Sequence, residues 1–277
     1  MRPVDAGLGC WIDGRKAGSE EAWVHLDDPA VQAGWGVFET LAVRGGEALD
    51  PGPHLQRLRE GAARLSIPLA PIEELEGVVA HAAAGAGECA WLKIVVVGSG
   101  RSFVFGGPMD PAYDGRPASA VLLPWRRNAQ DPLAGLKTLN YAANRMGRAW
   151  AAERGADEGL WRNARGHLTE GCSSNLFVVE GRKLFTAAVA DGILPGIVRG
   201  QVLGSARDLG VAIHEGKLRL RRLERAREAF LTSSLGGVRP LVRYAGRVLG
   251  SGEAGPLTRK LAERVALART GGAAPRT

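Results

Sequence analysis

The sequence predicts an α+β fold in two domains, a smaller N-terminal one over residues 1–127 and a larger C-terminal one over residues 128–277. Strongly β-branched runs at residues 91–97 (Trp-Leu-Lys-Ile-Val-Val-Val) and 118–123 alternate with stretches of helical periodicity, the pattern of sheets covered by helices. Between Tyr113 and Gly135 lie Gly115, Pro117, Pro124 and Pro132, a breaker-rich connection that places the boundary near Asn128. A chain of 277 residues can bury one large core or two smaller ones.

Residues 10–12 and 37–43 read as strands, with Gly45-Gly46 as a hairpin turn. From His54 onward, Leu55, Leu58, Ala62 and Leu65 recur at three and four while Arg57, Arg59, Glu60 and Arg64 fill other positions. That is an amphipathic helix, ended by Pro68. Pro71 suits the first turn of a second helix over residues 72–84. After the strands at 91–97 and 118–123 comes an Ala-rich helix over residues 142–152, with Met146, Ala149 and Trp150 at helical spacing. Strands follow at 159–162, 176–179 and 184–186, then a helix over 196–209 supported by Ile197, Val198, Val202 and Leu203 and started by Pro195-Gly196. Strands at 211–214 and 229–232, a hairpin at Ala245-Gly246 and a helix over 256–267 complete the chain, with residues 269–277 expected to be a disordered tail.

Hydrophobic content of 45% and charged content of 23% are those of a soluble globular protein. No apolar run approaches the roughly 20 residues of a membrane helix, and residues 1–6 lack a signal-peptide core. A cytoplasmic protein with no membrane partner is expected. Cys10, Cys89 and Cys172 are widely spaced, without a Cys-x-x-Cys pair or a histidine cluster, so neither a disulfide framework nor a metal site is expected. The net charge of +7 is densest at residues 217–227, where Leu218, Leu220 and Leu223 interleave with the cations and Glu224 and Glu228 lie close by. This reads as a strand end followed by a short solvated helix. It comes without a nucleic-acid-binding signature, so no nucleic-acid partner is expected.

Two stretches stand out chemically. Lys137, in Gly135-Leu-Lys-Thr-Leu-Asn-Tyr141, sits at a loop-to-helix junction, where scaffolds display function. Glu170, in Leu168-Thr-Glu-Gly-Cys-Ser-Ser-Asn175, lies in small polar residues that read as a loop entering the buried strand at 176–179. Taken alone, they also admit a solvated lysine and a hairpin turn.

Six segments in order change that balance: Gly34-Trp-Gly-Val-Phe-Glu-Thr40, His54-Leu-Gln-Arg-Leu58, Leu136-Lys-Thr-Leu-Asn-Tyr141, Thr169-Glu-Gly-Cys-Ser-Ser-Asn175, Gly192-Ile-Leu-Pro-Gly-Ile-Val-Arg199 and Phe230-Leu-Thr-Ser-Ser234. Together they resemble the signature blocks of the class IV, fold type IV pyridoxal-phosphate enzymes, over nearly the whole chain. The family contains branched-chain and D-amino-acid aminotransferases and aminodeoxychorismate lyase. The resemblance implies a two-domain fold type IV architecture with a barrel-like sheet in the C-terminal domain. It also implies a homodimer, with an active site between the domains of a subunit and part of its wall supplied by the second subunit.

Pyridoxal 5'-phosphate needs an amine for its aldehyde, an anion at its ring nitrogen, a phosphate cradle and a shape that orients the reacting bond. By the resemblance, Lys137 is the amine and the proton carrier, and Glu170 is the ring-nitrogen partner. Tyr141 meets the ring hydroxyl. Arg57, backbone donors of Ile197 and Val198 at a helix start, and Ser233 and Ser234 hold the phosphate, with Thr232 as an alternative to the serines. At the substrate side, Phe38 stands where some family transaminases carry a tyrosine, and Trp35 replaces a common acidic residue. The usual Thr-Arg-Gly turn reads Val97-Gly98-Ser99-Gly100-Arg101, so the family's carboxylate-binding arginine is either absent or displaced to Arg101; Arg44, Arg101, Arg126 and Arg239 are the candidates.

The approach to the lysine, Arg127-Asn128-x-x-x-Pro-Leu-Ala-Gly-Leu-Lys137, resembles aminodeoxychorismate lyase. The leading expectation is therefore a lyase turning 4-amino-4-deoxychorismate into 4-aminobenzoate and pyruvate, and an acidic substrate suits the basic charge. The alternative is an aminotransferase for branched-chain or D-amino acids. A third reading is a protein of this fold that binds cofactor or partner without turnover.

Overall fold

The computed structural model describes residues 9–270, which form two compact units. The first comprises the described residues up to Tyr113 together with Leu136–Tyr141; the second comprises Asp114–Gly135 and the described residues from Ala142 on. Sequence alone puts the boundary near Asn128. The strand Ala118–Arg127 is part of the second unit and the Lys137 segment part of the first. The expectation of a leaderless start falls on residues 1–6, outside the described residues. So does most of the tail expectation, since Arg269 still ends a helix and residues 271–277 are not described.

The first unit runs β1 (Cys10–Ile12), β2 (Arg15–Ala17), α1 (Pro29–Ala33), β3 (Gly36–Arg44), β4 (Glu47–Ala48), α2 (Pro51–Arg64), α3 (Ile72–Ala84), β5 (Cys89–Val97) and β6 (Ser102–Pro108). Its antiparallel sheet has the order β2-β1-β6-β5-β3-β4. β5 pairs with β3 along its whole length, from Gly36↔Val97 to Arg44↔Cys89. α2 lies on β3 and buries His54, Leu55, Leu58 and Ala62. β6 is not evident from the sequence because Gly106-Gly107 reads as a turn. A Cβ at Gly106 would stand 2.1 Å from the Trp91 carbonyl oxygen, so glycine is what lets the two strands approach.

Part of the β3 edge is free because β4 pairs only with Val43 and Arg44. The Lys137 segment takes the other end. Thr138 bridges Val37, Phe38 N–H donates to the Lys137 carbonyl at 3.0 Å, and Leu139 N–H donates to the Gly36 carbonyl at 2.8 Å. Backbone pairing, rather than the side chain, fixes where Lys137 sits.

The second unit runs β7 (Ala118–Arg127), α4 (Ala142–Ala152), β8 (Glu158–Asn163), β9 (Leu168–Gly171), β10 (Asn175–Glu180), β11 (Lys183–Thr186), α5 (Ile197–Asp208), β12 (Ala212–Glu215), α6 (Leu220–Glu224), β13 (Glu228–Ser233), β14 (Gly237–Tyr244), β15 (Arg247–Val248) and α7 (Pro256–Arg269). Strands pair in the order β10-β13-β14-β7-β8-β9, and β9 pairs back to β10 through Glu170↔Asn175. Six strands thereby close into a barrel, and β11, β12 and β15 extend it.

Leu160, Leu168, Leu176, Val178, Leu231 and Leu241 fill the barrel. On the other face Phe177, Phe230, Val198, Val202, Leu261 and Val265 pack under α5 and α7. α4 forms as expected but buries Gly147 and Ala151, leaving Met146 56% exposed. Small residues face inward here because a Cβ at Gly147 would lie 2.5 Å from the Cys172 sulfur.

The polar residues of β9 read as a loop in the sequence, yet Leu168–Gly171 is a strand. Its register against β8 slips: Leu160↔Gly171 and Arg162↔Leu168 set three residue steps of β9 against two of β8. Such a bulge turns the following side chain to the opposite face. Leu168 points into the barrel, whereas Glu170 pairs with Asn175, whose neighbour Leu176 is the inward residue. The bulge therefore aims Glu170 outward, to the α5 side.

Candidate active site

In the first unit, Lys137, Phe38 and Tyr141 come together. The Lys137 Nζ is 4.3 Å from the centre of the Phe38 ring and 5.8 Å from that of Tyr141, and the two rings meet edge to face at 5.2 Å. A second ammonium, Lys93 Nζ, stands 4.4 Å from the same Phe38 ring. Lys93 is on β5, diagonal to Phe38 on β3, since Phe38↔Val95 and Thr40↔Lys93 are cross-strand pairs. Sequence reasoning missed it because Lys93 lies within an apolar strand run.

Arg57 is held by a buried carboxylate. Its Nε and Nη2 donate to Glu39 at 2.7 and 2.9 Å, and His54 Nδ1 donates to the same carboxylate at 2.7 Å. Burial alone would raise Glu39, but hydrogen bonds from His54 and Arg57, with the Arg57 charge, outweigh it and bring the carboxyl down to about 2. Burial also holds the His54 imidazole below its ordinary value, so it is neutral, with its proton on Nδ1. Glu39 belongs to the Gly-x-Gly block, and a lone carboxylate inside the otherwise uncharged run of residues 36–43 is the signal available for finding it.

In the second unit, Glu170 accepts from Arg127 Nη1 at 3.0 Å, from the Leu194 backbone N–H at 2.9 Å and from Asn175 Nδ2 at 3.3 Å. Arg127 lies 4.2 Å over the Trp161 ring. Asn175 Nδ2 also donates to the Leu194 carbonyl at 2.9 Å, and its Oδ1 would be 2.0 Å from a Cβ at Gly196. Glu170 is thus tied through Asn175 to the start of α5, where Gly196 is the N-cap and the Ile197 and Val198 N–H groups have no intrahelical acceptor. Asn175 pairs in turn with Thr232 on β13. The Thr232 hydroxyl is buried without a hydrogen-bond partner among the described residues. Ser233 Oγ accepts from Gly236 N–H at 3.1 Å, and the Ser234 carbonyl accepts from Arg269 at 2.7 Å.

A family model described as amino-transferase class IV matches residues 36–244. This chain belongs to the class IV aminotransferases. It is a pyridoxal-phosphate enzyme of fold type IV. The branched-chain aminotransferase of Thermoproteus uzoniensis, solved with norvaline, superposes with a TM-score of 0.87 at 28% identity, covering 95% of each chain. The branched-chain-amino-acid aminotransferase of Escherichia coli K12 is 27% identical, covering 91% of this chain and 89% of its own. The D-alanine aminotransferase of Bacillus licheniformis is 26% identical, with 90% and 93% covered.

The class IV aminotransferase residues fit their cofactor. A helix start with open N–H groups, an unpartnered buried hydroxyl and a carboxylate on the barrel's outer face are what a phosphate and a pyridinium require. The substrate-side residues are less gathered. Arg101 pairs with Asp13 at 3.1 Å and stacks over Trp23 and Phe103; the Trp35 indole donates to the Leu65 carbonyl at 3.1 Å. Arg44 donates to its neighbour's carbonyl, Arg126 to the Ala164 carbonyl and Arg239 to the Arg116 carbonyl. Cys172 is buried, and burial and the nearby Glu158 charge push its thiol up to about 12, so it packs and does not attack. Among the described residues no helix is long and apolar enough to cross a membrane.

Proposed function

We propose that this chain is an aminotransferase for branched-chain amino acids, working as a homodimer. The observation that carries it is the pair of ammonium groups on one ring, Lys137 at 4.3 Å and Lys93 at 4.4 Å from Phe38. An amine for proton transfer, a cation for a carboxylate and an apolar wall between them are what an α-amino acid with a hydrocarbon side chain presents to a protein. The names of the Thermoproteus and Escherichia relatives support the same substrate class.

When bound, pyridoxal phosphate supplies the electron sink for the substrate's α-carbon. Lys137 Nζ would take the proton from that carbon, becoming an ammonium, and would give it up again before the oxo acid leaves, so that the amine ends neutral. Lys93 meets the α-carboxylate and Phe38 lies against the side chain. Tyr141 donates to the ring hydroxyl. Glu170, oriented by Arg127, Leu194 and Asn175, holds a proton at the ring nitrogen. The Ile197 and Val198 N–H groups, Thr232, Ser233, Ser234 and Arg57, fixed by Glu39, bind the phosphate.

None of the relatives named above is an aminodeoxychorismate lyase, so the lyase expectation gives way to the aminotransferase. The test is a half-reaction. L-Leucine, L-isoleucine or L-valine should bleach the visible absorbance of the holoenzyme, and a 2-oxo acid should restore it. Bleaching by D-alanine alone would shift the substrate to the D-series, and pyruvate and 4-aminobenzoate from 4-amino-4-deoxychorismate would restore the lyase. Light scattering at twice the 29.2 kDa chain mass is expected for the dimer.

A further inference from the structure

Glu158 is 4% exposed and makes no salt bridge among the described residues. Its carboxylate instead accepts five hydrogen bonds. Oε1 takes the Cys172 N–H at 3.0 Å and the Gly159 N–H at 3.2 Å; Oε2 takes the Ser173 N–H at 3.3 Å, the Ser173 hydroxyl at 3.0 Å and the Ser174 hydroxyl at 2.8 Å. Four of the five come from the turn of residues 171–174, which joins β9 to β10. The turn also closes on itself, Gly171 N–H donating to the Ser174 carbonyl at 2.7 Å.

A buried carboxylate is costly unless its lone pairs are filled. Here they are filled by the backbone and hydroxyls of one turn, and the side-chain stem packs against the turn's first residue. A Cβ at Gly171 would stand 2.8 Å from Glu158 Cγ and Cδ and 2.3 Å from Ser174 Oγ. The residues flanking this turn are Glu170 and Asn175, the one pair through which β9 meets β10. A shift in the turn moves both.

We propose that Glu158 is a positioning residue of the active site: its carboxylate shapes the 171–174 turn and thereby sets the place of Glu170 and Asn175. This rests on the role given above to Glu170 at the cofactor's ring nitrogen. Glutamine cannot replace it. An amide has one acceptor oxygen, so in either orientation its NH2 faces a backbone N–H, that of Ser173 or those of Cys172 and Gly159.

The test reads the ring nitrogen directly, by 15N NMR of holoenzyme carrying cofactor labelled at that atom. Wild type should show a protonated nitrogen and Glu170→Gln a neutral one. Glu158→Gln should move the signal part of the way to that of Glu170→Gln and weaken cofactor binding about tenfold. Leu261→Ala, in the core under α7, should lower thermal stability and leave the signal in place. If Glu158→Gln does not fold, the milder Ser173→Ala, Ser174→Ala double variant keeps the carboxylate, loses two of its hydrogen bonds and should shift the signal in the same direction. A wild-type signal in Glu158→Gln, or in the serine double variant where Glu158→Gln does not fold, overturns the proposal, leaving Glu158 as scaffold alone. If Glu170→Gln itself leaves the signal unchanged, the Glu170 assignment fails, and this proposal with it.

Discussion

Arg57 grips Glu39 with two parallel hydrogen bonds, Nε to one carboxylate oxygen at 2.7 Å and Nη2 to the other at 2.9 Å. The Glu39 side chain is fully buried and that of Arg57 is 12% exposed, so the fork holds the guanidinium in one orientation. Glu39→Gln breaks a buried pair and should cost about 3 kcal/mol of stability, measured by urea unfolding. It should also weaken cofactor binding, as Arg57→Lys should, because a lysine cannot reproduce the fork.

The same cluster makes the protein acid-sensitive. Glu39 titrates at about 2 in the fold against an ordinary 4.5, so its contribution is full above pH 4.5 and is lost as pH falls toward 2. His54 has a lowered value, so the unfolded chain takes up its proton first and stability starts to fall below pH 6.5. Both act in the same direction. Stability should be flat near pH 7 and decline by at most about 1.4 kcal/mol per pH unit per proton once His54 engages. His54→Asn keeps a donor for Glu39 without the titration. Its stability should hold between pH 7 and 5, and an unchanged slope there would count against the neutral imidazole.

Lys93→Met removes the second cation from the Phe38 ring while keeping the stem. The KM for the amino acid should rise about 10- to 100-fold, the worth of one charged hydrogen bond, with kcat changed far less. A fall in kcat at constant KM would place Lys93 in proton transfer instead of substrate binding.

Lys137→Ala should abolish both transamination and the visible absorbance of the reconstituted protein. Its backbone hydrogen bonds to β3 do not need the side chain, so apoprotein stability should change by less than about 1 kcal/mol. Visible absorbance persisting in Lys137→Ala would move the reactive amine elsewhere.

Gly196→Ala would put a methyl group 2.0 Å from Asn175 Oδ1. Asn175 must then move, taking its hydrogen bonds to Glu170 and Leu194 with it, and cofactor affinity should drop about tenfold, or 1.4 kcal/mol. Gly200→Ala is the control on the same helix. Nothing lies within 4 Å of its added Cβ, so affinity should hold and the helix should gain slightly. Equal losses in both variants would point to the helix rather than to Asn175.

Elements governed by local pattern are legible in the sequence alone. The β-branched run made β5, Pro71 and the apolar spacing after it bounded α3 at Ile72–Ala84, and Pro195-Gly196 started α5. Lys137, Phe38 and Tyr141 stood out by motif, and the structure places them on one patch of the first unit. Other features depended on partners far along the chain. β9 is too polar and too short to read as a strand, and becomes one because a bulge against β8 and the Glu158 carboxylate shape it. The pairing of the Lys137 segment with β3 joins residues about a hundred apart, and Glu39 acquires its role only when α2 lays Arg57 and His54 over it. Periodicity reports which face of an element is buried. Register, bulges and the filling of a buried carboxylate's lone pairs are set by what lies opposite, and that is decided when the sheets assemble.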